Sequence, residues 1–196
     1  MMRAGYAAIY MAWAAMASAT GALAADWSAV EALREGDMKK LVFHAEPRPL
    51  PGMSVVGPDG AETALADLQG EWLVVNLWAT WCAPCRKEMP MLASLQETFA
   101  DAPVEVVTIA TGRNSVEGIT RFFAEIGVDN LPEYRDPTQE LARAMGILGL
   151  PVTLIVDPQG REIARLIGDA HWDSESAVAI LTALAEEFSG GGDGEG

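Results

Sequence analysis

Cys82 and Cys85 are the only cysteines among 196 residues, and they stand two apart in Trp81-Cys82-Ala83-Pro84-Cys85. That spacing fits both sulfurs on the first turn of one helix, where they can close a disulfide without moving the rest of a fold. A helix start carries unpaired N–H groups and a partial positive charge, which favour a thiolate. Cys82, the earlier sulfur and the one expected to be exposed, is therefore the expected nucleophile, with a pKa below that of a free cysteine. Cys85, one turn deeper, would resolve the mixed disulfide. Pro84 suits the turn, because the N–H it lacks would have no helical partner. Two blander uses compete. A purely structural disulfide would close too short a loop to remove much chain entropy. A zinc site would need His44 and His171, the only two histidines, and their spacing matches none of the common zinc patterns.

The flanking elements must place these sulfurs. Ahead of them runs Trp72-Leu73-Val74-Val75-Asn76-Leu77-Trp78-Ala79, a near-continuous apolar stretch that reads as a buried strand. Behind them Arg86-Lys87-Glu88-Met89 continues a helix expected from about Cys82 to Ala100, with a kink expected at Pro90. Glu88 lies three residues past Cys85, hence on the same helix face. There a carboxylate would raise the Cys85 pKa and relay its proton, unless it is simply a solvated residue. Further strands are expected at Val104 to Ala110 and Val152 to Val156, the latter in a hairpin with Glu162 to Ile167 across Asp157-Pro158-Gln159-Gly160. Helices are expected at Ser115 to Ile126, with Ser115 as N-cap, at Pro137 to Met145 and at Ser174 to Phe188. Pro151, ahead of a strand, is either a cis residue in a tight turn or an ordinary trans proline.

The run from Asn76 to Pro90 resembles the thioredoxin-like reductases of the bacterial periplasm, the TlpA, ResA and CcmG group, and the resemblance extends over about residues 31 to 188. It implies an α/β, thioredoxin-like fold: a central mixed sheet flanked by helices, with an N-terminal β-hairpin and a βα insertion. It also implies a cis Pro151 in a loop facing the cysteines, whose backbone would pair with an extended client segment. On that reading Cys82, Cys85, Glu88 and Pro151 are the catalytic set, and Trp81, Pro84, Leu150 and Thr153 contact the client. Thioredoxin has a buried aspartate where this chain has Asn76. An amide cannot accept that proton, so Asn76 is expected only to satisfy a backbone hydrogen bond.

Composition bounds the rest. Half the residues are hydrophobic, enough for one sizeable core, and the formal net charge of -15 argues against a nucleic-acid partner. Residues 1–25 carry a single charge, Arg3, and an alanine-rich apolar run ending in Ala22-Leu23-Ala24. They read as a signal peptide cleaved near Ala24 or as an uncleaved anchor. Residues 26–51 are expected to be a cap, with a helix from Trp27 to Met38 and an extended connector through Pro47, Pro49 and Pro51. Residues 52–188 form the main domain, opening on a hairpin across Gly57-Pro58-Asp59-Gly60, and 189–196 an acidic tail.

The expected function is an exported, monomeric thiol–disulfide reductase with no cofactor and no metal. Its clients would be disulfide-bearing periplasmic proteins. The resemblance points to a copper chaperone, the copper-bearing subunit of an oxidase, or apocytochrome c, and to a membrane electron donor of the DsbD or CcdA type. The alternative is a copper carrier of the same fold without turnover, against which the CxxC spacing weighs.

Overall fold

The computed structural model describes residues 26–189. The expected signal or anchor segment and the acidic tail beyond Ser189 lie outside them. Strand β1 is Val42–Pro49, β2 Ser54–Val56, β3 Glu62–Ala64, β4 Trp72–Trp78, β5 Val104–Thr111, β6 Tyr134–Asp136, β7 Val152–Val156 and β8 Arg161–Ile167. The helices are α1 Ser28–Glu31, α2 Ala83–Thr98, α3 Val116–Ile126, α4 Glu140–Ala144 and α5 Glu175–Ser189.

The strands form one mixed sheet in the order β1-β8-β7-β4-β5-β6-β2-β3. Strand β4 runs parallel to β5 and antiparallel to β7, and all seven of its residues are buried. Such two-sided burial is why its sequence is a continuous apolar run rather than an alternating one. Its side chains divide by parity. Trp72, Val74 and Trp78 pack on one face with Met89, Leu92 and Leu95 of α2 and Ile180, Leu181 and Leu184 of α5. Leu73, Val75 and Leu77 pack on the other with Leu141, Val55 and Leu65. Each such aliphatic side chain contributes about 1.5–3 kcal/mol on burial. The parity also puts Asn76 on the α2 face, in the interior.

Helix α2 continues through Pro90 to Thr98. Helix α3 starts where expected, with the Ser115 hydroxyl accepting from Gly118 N at 3.0 Å. Three expectations change. The helix expected from Trp27 to Met38 is only α1, which ends at Glu31; Glu35 is extended, at φ -126° and ψ 163°, and Gly36, at φ +50°, opens a separate 3-10 turn at Gly36–Lys40. The stretch through Pro47 and Pro49, read as a connector, is strand β1 at the sheet edge, paired among the described residues only with β8. An edge strand tolerates proline because one of its sides has no ladder to serve. Helix α4 begins at Glu140, so Pro137 lies in the turn before it rather than in its first turn.

Strand β1 is fastened to β8 by a charged cluster. His44 Nε2 lies 2.7 Å from Glu162 Oε1, and Arg165 donates to both Glu162 oxygens at 2.8 Å. Burial pushes the Glu162 carboxyl up, but the Arg165 and His44 bonds more than reverse this and hold it below its ordinary value.

Candidate active site

The central strand ends at Trp78, and the chain turns through Thr80 and Trp81 into α2. Cys82 is the N-cap of that helix, in extended backbone, and its sulfur accepts from Cys85 N at 3.3 Å. The side chain thus occupies the position where a helix start stabilises negative charge. Cys82 and Cys85 are joined by a disulfide, S–S 2.04 Å. Cys82 is 6% exposed and Cys85 is not exposed at all, so the accessible sulfur is the earlier one.

Cys82 opens into a cleft of about 480 Å³. Trp81 and Pro84 form one wall, and Ile147, Leu148, Gly149 and Leu150 the other. Leu148 is fully exposed and Trp81 is 64% exposed, an arrangement that leaves large apolar surface uncovered on both sides of the sulfur. Among the described residues no charged side chain lines the cleft. The Leu150-Pro151 peptide bond is cis, and Pro151 is buried at the entry to β7.

Behind the disulfide lies a polar cluster inside the apolar core. Glu88 is 1% exposed. Its Oε1 accepts from Asn76 Nδ2 at 2.8 Å, and its Oε2 from Ala170 N at 3.3 Å. The Trp172 indole N–H has no partner within hydrogen-bonding distance among the described residues, yet it lies near enough to the carboxylate to favour its charged form. Burial dominates and pushes the Glu88 carboxyl up to about 7, with the Asp169 charge adding to it and the hydrogen bonds opposing it. A buried acid titrating near neutrality, one helical turn from Cys85, suits proton transfer.

Two placements differ from expectation. Asn76 does not serve the backbone, because its amide nitrogen donates to both Glu88 and Thr153 Oγ1, the latter at 2.9 Å. Thr153, expected against the client, is wholly buried one strand from Asn76, and its hydroxyl is engaged there. Trp81, Pro84 and Leu150 do line the cleft. Leu148, Ile147 and Thr111 also stand on its walls and floor, and sequence reasoning missed them. The only local signal is the apolar Ile147-Leu148 pair beside a glycine ahead of Pro151.

The AhpC/TSA family model matches residues 48–163, more than half of the chain. Thiol-disulfide oxidoreductase ResA of Bacillus subtilis is 30% identical over 118 residues, covering 60% of this chain and 65% of the relative, just under two thirds of its length. Thioredoxin-like protein YneN of the same organism is 32% identical over 133 residues, 68% of this chain and 75% of the relative. A secreted thiol-disulfide isomerase from Corynebacterium glutamicum superposes with a TM-score of 0.62 at 25% identity, over 76% of this chain and 96% of that structure.

Proposed function

The chain belongs to the AhpC/TSA family of thioredoxin-like proteins, and we propose that it is an exported thiol–disulfide oxidoreductase that reduces disulfides in client proteins. One observation carries the reading: Cys82, at a helix N-cap, opens into an apolar cleft bounded by the cis-proline loop. The reduced protein acts in two exchanges. The Cys82 thiolate attacks one sulfur of a client disulfide, forming a mixed disulfide and releasing the first client thiolate. Cys85 then loses its proton to Glu88 and attacks the Cys82 sulfur, and the second client thiolate leaves. The client gains two electrons and its two thiolates take their protons from water, while the protein is left with its Cys82–Cys85 disulfide and a protonated Glu88 that returns its proton to solvent.

A donor must return those electrons. In an oxidising compartment this is a membrane protein of the DsbD or CcdA type, and the clients belong to copper-site or cytochrome c assembly. The resemblance to the TlpA, ResA and CcmG group and the signal-like residues 1–25 support that placement. Among the described residues no helix is long and apolar enough to cross a membrane.

Trapping tests the mechanism. Cys85→Ser, incubated with a peptide disulfide, should accumulate a covalent adduct that a reducing agent releases. Cys82→Ser should form none. Equal adducts from both variants would defeat the assignment of Cys82 as nucleophile.

A further inference from the structure

The two walls of the cleft come from distant parts of the chain, and a run of hydrogen bonds joins them beneath its floor. Asn114 Oδ1 accepts from the Thr80 backbone N–H at 2.8 Å and from its hydroxyl at 2.9 Å, one residue before Trp81. Asn114 Nδ2 donates to Thr111 O at 2.8 Å. The Thr111 hydroxyl, buried at the cleft floor, donates to Asp136 Oδ2 at 3.0 Å. Asp136, 5% exposed, also accepts from Ala142 N at 3.0 Å and Leu141 N at 3.4 Å. Its main-chain oxygen accepts from Gly112 N and Gln139 N. From Ala142 the chain reaches the far wall through Ile147 N donating to Ala142 O at 2.8 Å.

Helix α4 cannot hold this position alone. It has five residues, too few for independent stability. Its N-cap residue, Gln139, sits at φ +61° and makes no capping bond with its side chain. The capping group is Asp136, from outside the helix, and the same carboxylate is fixed to β5 by Thr111. Neither Asp136 nor Asn114 lines the cleft or bonds to a cysteine.

We propose that Asp136 and Asn114 are positioning residues that set the separation between the Trp81 and Leu148 walls, and so govern how a client segment docks over Cys82. This role rests on the reductase reading and deepens it. It separates docking from sulfur chemistry, because the Cys82–Cys85 turn keeps its own N-cap bond whatever happens to α4.

The test compares the wild type, Asp136→Asn and Asn114→Ala, each in the reduced form, on two oxidants. One is a short synthetic peptide carrying a disulfide between apolar flanks; the other is a small disulfide reagent that needs no cleft. The KM for the peptide should rise about tenfold in each variant with kcat little changed. The rate with the small reagent should stay at the wild-type value. An unchanged peptide KM, or an equal loss toward the small reagent, overturns the proposal. If Asp136→Asn melts below the assay temperature, Asn114→Ala decides by the same criterion, because it leaves both carboxylate–helix bonds in place. A wild type inert toward the peptide would overturn the reductase reading and this role with it. That result is distinct from an active wild type with unaffected variants.

Discussion

The amide nitrogen of Asn76 stands 2.8 Å from Glu88 Oε1, joining the middle of the central strand to the second turn of the redox helix. This bond lets an acid sit in the core: it supplies a donor to a carboxylate that burial otherwise drives toward its neutral form. The bond thereby ties the Glu88 carboxyl, on the same helix as the two sulfurs, to β4.

The Glu88 carboxyl gives the oxidised protein a pH dependence of known sign. Its folded pKa is raised to about 7 from an ordinary 4.5. Below pH 4.5 the folded and unfolded chains are both protonated and there is no penalty. Between 4.5 and 7 the unfolded chain ionises first, so stability falls as pH rises, by on the order of 3 kcal/mol in all. Urea unfolding at pH 5 and pH 8 should show this loss in the wild type and a smaller one in Glu88→Gln. Equal losses would place the titration elsewhere.

Asn76→Ala removes the donor to Glu88 and the bond to Thr153 together. The cost should be about 1–3 kcal/mol, since the partners remain buried. The Glu88 titration, followed by carbon NMR of labelled carboxyls, should move above its wild-type value. A downward move would mean that the amide does not favour the carboxylate.

The fully exposed Leu148 supports no core, so Leu148→Asp should leave the melting temperature unchanged. It places a charge on an apolar wall, and peptide KM should rise about tenfold. An unaltered KM would remove this wall from the docking surface.

Glu162→Gln breaks the ion cluster that fastens β1 to β8. It should cost about 2 kcal/mol or more at pH 7, because Arg165 is left without its charged partner. The Glu162 pKa is lowered in the folded state, so its contribution is present above pH 4.5 and is lost as the pH falls through the folded value. The gap between variant and wild type, read by urea unfolding, should close in acid.

Local chemistry makes much of this legible in sequence. The cysteine spacing, the two-sided apolar run at Trp72–Trp78 and the Ser115 cap each carry their signal within a few residues, whereas the cis form of Pro151 follows only from the family resemblance. What stays hidden depends on contacts between distant residues. Asn76 finds its role only through Glu88, twelve positions on. Pro47 and Pro49 read as an extended connector until the sheet places them on an edge with one ladder to fill. Helix α4 starts late because its cap, Asp136, belongs to the preceding strand and is held there by Thr111, twenty-five positions earlier. Thr153 lies on the inward face of β7, and only its register against Asn76 turns it away from the cleft.

The reduction potential of Cys82–Cys85, measured by equilibration with a thiol buffer of known poise, tests the reductase role most directly. A reductase should lie near thioredoxin, at about -270 mV, while a value near the oxidant DsbA, about -120 mV, would mean that the protein makes disulfides and would contradict that role.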